Sequence, residues 1–490
     1  MKSAMLIILL IFIGKVSGLG KDVLTTAFFG VSLDTDAFFL STYISSLLYI
    51  ALYGSISLVI VPAYQSYRDG EIVKGNLNFA IVLLFLVSMV LSVISYVFAA
   101  FIVDFFYSGE SEHMLLMSSE YLKLMVITYP LSTCVGILNA ISSVNSKPIY
   151  VYINPVFNNI SFCVLVYAFS DGGSFEPILI GAIFTWLIIL CVNFIGSGNF
   201  IVHILDLCKH VKPSSSLLFV SSVSIIFALA EQIINFSPIY ISSFFGDGAI
   251  SYYSLASKLT LLFLSLSLLI INTHFYPKFS KMDNIELVSD LIKQYLPLLL
   301  SFLLAIVSFS IVFSISIIKI VFERGEFNSG DANNVAMVFS IIVVTIPFVL
   351  LKDLSTRALF SQGKGFVCIK ATAVFSLLIV MFSIFGLGYL GFLESLLVYV
   401  SLNIIFSLYV YFSLFNVSKA KEFTYLFMMI VRYFVISISL SLLVFYTVNN
   451  IYLSAFVYFV AYFFIMFLIK DNSFFKLCGM LYRRKNETTV

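Results

Sequence analysis

The sequence predicts an all-α polytopic membrane protein of about 14 transmembrane helices, arranged as two parallel-repeat six-helix lobes followed by two C-terminal helices. Three observations lead there. Of the 490 residues, 61% are hydrophobic and 11% charged, against about 25% charged in an ordinary soluble domain, so there is too little polar surface to clothe a water-soluble globule. Apolar runs of about 18 residues or more, long enough to cross a bilayer, recur from end to end and give a mean hydropathy of +1.08. Basic residues gather in every second break between those runs. These features exclude cytosolic enzymes, nucleic-acid binders and disulfide-stapled secreted domains.

Taken in order, the apolar stretches between charged or turn-rich breaks lie in 4–30, 37–63, 77–103, 119–143, 148–170, 177–201, 216–243, 250–278, 293–318, 333–352, 366–386, 391–414, 425–447 and 451–469. The first follows Met1-Lys2 and holds a small-residue stretch, Val16-Ser17-Gly18, which gives it a passing likeness to a signal peptide. The apolar pattern resumes directly after Lys21 and Asp22, so it reads as the first transmembrane helix. At about 35 residues per span, short loops and helices of about 20 to 27 residues use up the chain and leave no room for a soluble domain.

Orientation follows from the cations. Nineteen of the 27 basic residues fall in even-numbered breaks and at the ends, from Lys2, Arg68 and Lys74 through Lys147, Lys209, Lys212, Lys278, Lys281 and Lys364 to Arg483, Arg484 and Lys485. Odd-numbered breaks hold only Lys319 and Arg324, beside acids such as Asp34, Asp104, Glu110, Asp247 and Glu326. Both termini are therefore expected in the cytoplasm. A missed span would invert the alternation downstream, and it never inverts.

An internal repeat sets the lobes. Phe28-Phe29-Gly30 is echoed by Phe244-Phe245-Gly246, Val61-Pro62 by Tyr276-Pro277, Pro130 by Pro347, and Lys147 by Lys364, at offsets of 215 to 217 residues. That offset spans an even number of helices, so the halves share one orientation and are related by an axis along the membrane normal. The expected division is 1–210, 211–418 and 419–490, with the substrate site in the cleft between the lobes. Six scattered cysteines, with no CxxC pair and no nearby histidines, read as small apolar fillers rather than a zinc site or disulfide framework.

A charged side chain at mid-span costs about 2.5–3.5 kcal/mol on insertion scales, so each should face a cavity or a partner. The first span carries Lys15 and Lys21 with Gly14, Gly18 and Gly20 around them, and a bend at those glycines would aim both ammonium groups into one cavity. The plainer alternative for each lysine is to snorkel to the interface. Asp36 at the start of the second span is an interfacial or N-cap carboxylate, the partner of one of these lysines, or a titrating gate. Glu231, next to Gln232 in the seventh span, pairs with a cation such as Lys258, is protonated, or coordinates a coupling cation. Lys123, Lys370 and Arg432 lie nearer span ends and read as snorkelling anchors. The excess of cations facing the expected cleft, Lys15, Lys21 and Lys258, suits an anionic substrate, above all a phosphate. No GxxxxGK[ST] motif occurs, so ATP is not expected to drive transport directly.

The run Gly14-Lys15-Val16-Ser17-Gly18-Leu19-Gly20-Lys21-Asp22, then Phe29-Gly30, Thr35-Asp36-Ala37-Phe38-Phe39 and Val61-Pro62-Ala63-Tyr64, resembles the N-terminal signature of the MurJ/MviN family of lipid II flippases. That family lies within the multidrug/oligosaccharidyl-lipid/polysaccharide exporter superfamily. Leu138-Asn139, Ala256-Ser257-Lys258-Leu259, Pro277 and Val321-Phe322-Glu323-Arg324-Gly325-Glu326-Phe327 continue the likeness over nearly the whole chain. The resemblance implies a flippase of the bacterial cytoplasmic membrane. It would carry an undecaprenyl-diphosphate-linked saccharide, lipid II for peptidoglycan synthesis, from inner to outer leaflet by alternating access. No cofactor is expected, an ion gradient or the membrane potential is the remaining driving force, and the expected partners are membrane lipid and the lipid-linked saccharide, with no nucleic acid and a monomeric chain.

Residue by residue, the family's first-span arginines fall on Lys15 and Lys21, its second-span aspartate on Asp36 and its eighth-span arginine on Lys258. Charge is kept and the bidentate fork is lost. The family's paired second-span arginines fall near Tyr49-Ile50, where no charge remains, which leaves O-antigen or capsule units open as cargo. A cation-coupled multidrug exporter, using Glu231 and Asp36, is a further alternative. A membrane enzyme would need a large loop bearing catalytic acids or histidine, and residues 104–118 offer only Asp104, Glu110, Glu112 and His113.

Overall fold

The structure is a computed structural model and describes residues 2–68, 74–107, 109, 111–145, 149–169, 173–197, 215–270, 285–362, 364–415, 419–448 and 450–468. The loop cations Lys147, Lys209, Lys212, Lys278 and Lys281, the repeat residue Pro277 and the basic tail from Lys470 lie outside the described residues.

The described residues form eighteen α-helices. They are α1 Lys2–Phe29, α2 Leu33–Arg68, α3 Lys74–Val97, α4 Ala99–Phe106, α5 Glu112–Val126, α6 Thr128–Val144, α7 Ile149–Phe169, α8 Glu176–Ser197 and α9 Ser215–Ser243. There follow α10 Ala249–Ile270, α11 Ile285–Val312, α12 Ser314–Phe322, α13 Ser329–Ile342, α14 Ile346–Ser361, α15 Gly365–Phe385, α16 Phe392–Phe412, α17 Lys419–Thr447 and α18 Ile451–Leu468. Four neighbouring pairs run nearly end to end: α3/α4, α5/α6, α11/α12 and α13/α14. With each pair taken as one rod, the described residues give fourteen rods at the fourteen expected places. Ten of them are long and apolar enough to cross a membrane, so the chain is an all-α multi-pass membrane protein.

The repeated prolines explain two of the breaks. Pro130 sits in the first turn of α6 and Pro347 in the first turn of α14. A proline there has no N–H to give the carbonyl four residues back, so it fits a helix start and weakens continuation of the helix before it. The fourth and tenth rods are interrupted at equivalent places, at Ile127 and over the 3-10 turn Val343–Thr345, so the 217-residue offset read from the sequence relates two similar interruptions.

The first span shows no break at its glycines: α1 runs on through Gly14, Gly18 and Gly20. Gly14 and Gly18 form a GxxxG pair on the face packed against α7, where a Cβ on Gly14 would meet Val156 at 3.5 Å and one on Gly18 would meet the Asn159 amide at 3.3 Å. Small residues let two membrane helices approach closely without a hydrophobic driving force. Asn159 uses that approach to donate to the Gly14 carbonyl at 3.0 Å. The glycines therefore fit a partner helix and do not break their own.

At the end of α1 the chain turns through Gly30, in the left-handed region at φ +59°. Ser32 and Thr35 cap α2 reciprocally: the Ser32 N–H donates to Thr35 Oγ1 at 2.8 Å and the Thr35 N–H to Ser32 Oγ at 3.4 Å. The Glu323-Arg324-Gly325-Glu326 segment folds onto the same corner, with the Glu326 N–H donating to the Ala27 carbonyl at 2.9 Å. Gly325 has φ +61°, and a Cβ there would stand 2.0 Å from the Ala27 oxygen, so this approach requires glycine twice over.

Contacts divide the chain into two compact units, Met1–Leu255 with Phe322–Asp331 and Ser376–Phe392, and Ala256–Val321 with Ala332–Phe375 and Leu393–Val490. In the first, Leu52, Ile56 and Ile60 of α2 pack with Leu77 and Ile81 of α3 and Ile137 and Ile141 of α6 in one apolar cluster. In the second, α11 and α17 meet through a Ser308–Ser437 hydroxyl contact of 2.7 Å. Tyr458 and Tyr462 of α18 donate to the Ala305 and Ser301 carbonyls of α11, each at 2.9 Å.

Candidate functional site

A cavity of about 370 Å³ lies inside the first unit. Helical spacing builds its walls. From α2 come Ser45, Tyr49 and Tyr53, four residues apart and so on one face. α6 adds Tyr129, Ser132 and Asn139, α7 adds Asn154, Pro155 and Asn158, and α8 adds Trp186 and Ile189.

These groups hold one another in place. The Tyr49 and Tyr129 rings stack with centroids 4.6 Å apart at 17°. The Tyr49 hydroxyl lies 2.9 Å from Thr133 Oγ1, and Tyr129 donates to the Ser45 carbonyl at 3.0 Å. Asn154 donates to Asn139 Oδ1 at 3.2 Å and accepts from Asn193 at 3.0 Å. An amide without a partner is costly away from water, so this chain of asparagines supports itself while presenting a polar wall. Pro155 has no N–H to offer the Val151 carbonyl one turn back, and both residues line the cavity. No lining residue carries a charge. The resemblance puts the family's paired second-span arginines near Tyr49-Ile50. Sequence reading passed over this constellation because tyrosine and asparagine barely alter hydropathy; the signal was their recurrence every three or four residues on adjoining spans.

The titratable residues singled out from the sequence sit elsewhere. Lys15 is exposed on α1, while Lys21 is half-buried with its ammonium 4.8 Å from the centre of the Phe162 ring. On a regular helix six residues set their Cα atoms roughly 120° apart about the axis, so it is the flexible four-carbon stems that would bring both ammonium groups to one anion. Asp36 is 1% exposed. Its carboxylate accepts from the Gly248 N–H at 2.6 Å, the Ser251 N–H at 2.8 Å and the Ser251 hydroxyl. It therefore caps α10 from a distant part of the chain, and its bonds run to neutral donors rather than to a lysine. Gly248, at φ +87°, makes the turn that presents these donors. Glu231 is half-buried on α9 in the first unit, and Lys258 is half-buried on α10 in the second. Among the described residues no cluster of three His, Cys, Asp or Glu side chains is placed to hold a metal.

The sequence model of the family described as lipid II flippase MurJ matches residues 25–468. A protein of Buchnera aphidicola subsp. Baizongia pistaciae described as a probable lipid II flippase MurJ is 28% identical over 385 residues, covering 72% of each chain. One of Aquifex aeolicus with the same description is 25% identical over 382 residues, covering 74% of this chain and 72% of that one. Among solved structures, a lipid II flippase MurJ in an inward closed conformation superimposes with a TM-score of 0.75 at 22% identity, covering 98% of this chain and 99% of the other, which shows a shared fold.

Proposed function

This chain belongs to the MurJ family of lipid II flippases, and from that premise we propose that it carries lipid II from the inner to the outer leaflet of the bacterial cytoplasmic membrane by alternating access. It is a membrane transporter and not an enzyme, as its family is. The observation that carries the proposal is the family match over residues 25–468, continuous through all but the first span. The distribution of basic residues supports cytoplasmic termini, and the absence of a phosphate-binding glycine loop supports an ion gradient or the membrane potential as the driving force. One charge moved through 100 mV supplies about 2.3 kcal/mol.

We assign the substrate's diphosphate to Lys15, Lys21 and Lys258. The support is their charge, their places within spans and the phosphate's need for cationic donors. Lys21 is held by a ring face and not by an acid, so its ammonium can exchange that contact for an anion. Each lysine-to-alanine variant should fail to sustain a strain depleted of its own lipid II flippase. In proteoliposomes each should slow lipid II translocation by about tenfold or more, the worth of one charge-assisted hydrogen bond of about 1.5–3 kcal/mol. Arginine variants should retain function. Wild-type growth with all three alanine variants would remove the diphosphate assignment, and translocation of an O-antigen or capsule lipid in preference to lipid II would remove the cargo.

A further inference from the structure

The first unit's cavity has a chemistry that the diphosphate does not need. A phosphate calls for cations and a coupling ion calls for carboxylates, and the lining contains neither. What it presents is a stacked aromatic pair, Tyr49 and Tyr129, the indole of Trp186, and the side-chain amides of Asn139, Asn154 and Asn158. The amides and hydroxyls both donate and accept. This is the complement of a sugar ring, whose edge is a circle of hydroxyls and whose faces are patches of C–H that sit on aromatic planes. The volume, about 370 Å³, lies at the low end of the range of about 300–1,000 Å³ for small-molecule sites, so the cavity suits a single sugar ring and not a peptide or a lipid tail. The asparagine ladder fixes the polar wall before anything binds, which lowers the ordering cost of recognition.

We propose that this neutral cavity of α2, α6, α7 and α8 is a saccharide subsite that takes one uncharged sugar ring of the lipid-linked cargo. The inference rests on the flippase reading and adds to it a place where the glycan is read, separate from the lysines that serve the diphosphate.

Trp186 is the chain's single tryptophan, so its emission reports on the cavity without labelling. The purified full chain in detergent is titrated with undecaprenyl diphosphate alone and with undecaprenyl diphosphate bearing an N-acetylated disaccharide, and binding of each radiolabelled lipid is measured in parallel. The saccharide-bearing lipid should change Trp186 emission saturably, and the bare lipid should bind without that change. Asn158→Leu, on a half-buried side chain, should raise the half-saturating concentration of the saccharide-bearing lipid about fivefold, the effect of one lost hydrogen bond, and leave that of the bare lipid unaltered. Binding of both lipids with equal affinity and no emission change, or equal weakening of both by Asn158→Leu, overturns the subsite while leaving the flippase intact. Failure of both lipids to bind removes the flippase reading and this inference with it.

Discussion

Asp36 shows how much one carboxylate can hold together. Two backbone amides and a hydroxyl converge on it across 212 to 215 residues of chain, and a buried group of this kind is costly when its partners are removed. Asp36→Ala should lower stability by about 1–3 kcal/mol, seen as earlier thermal unfolding in detergent. Asp36→Asn, which keeps one acceptor oxygen, should lose less. Equal melting of the alanine variant and wild type would show that the cap does not contribute. From the sequence, Asp36 was conspicuous as a charge in an apolar chain, but its partners were not, because a backbone N–H leaves no mark among the side chains. Lysines were the visible candidates for it. Tyr49, Asn139 and Asn154 illustrate the opposite case: none is conspicuous alone, and only the folding of three spans around one space gives them a common purpose.

Helices make their own use of glycine and proline. In α1 the glycines looked like a hinge and prove to be a docking face, with Gly14 and Gly18 against α7 and Gly20 facing open space, where no atom lies within 4 Å of its would-be Cβ. Gly18→Leu should force α1 off α7 and destabilise the protein by about 1–3 kcal/mol. Gly20→Ala should leave it unchanged or gain up to about 1 kcal/mol in helix propensity. Unfolding of both variants in detergent compares them, and an equal loss from the two would refute the docking role. Whether a glycine bends a helix or admits a neighbour depends on what stands opposite, information absent from the helix itself. Pro130 and Pro347 were legible as members of the repeat, and the breaks beside them reflect the missing N–H acting on the proline's own helix.

Fourteen rods follow from hydropathy and break positions because lipid leaves the backbone few choices: each span must satisfy its own hydrogen bonds. The cations predict a sidedness that can be measured. In a cysteine-free background, Glu323→Cys, in the break between α12 and α13, should react with a membrane-impermeant maleimide added to intact spheroplasts. Lys364→Cys, between α14 and α15, should react only in inverted vesicles. Labelling of both from one side would refute the orientation. What hydropathy could not give is the wiring among spans, such as the Glu323–Glu326 segment reaching back to Ala27, since that is decided by shape and backbone contacts rather than by affinity for lipid.

The same wiring has a history in time. Asp36 leaves the ribosome some 212 residues ahead of Gly248, and at about 5–20 residues per second that is a wait of about 10–40 s. During that wait α2 exists while the donors that will bury its carboxylate do not. For that interval the acid must stay beside water or carry a proton. The first helices of this chain are therefore inserted before they can be finished, and the arrival of α10 completes them.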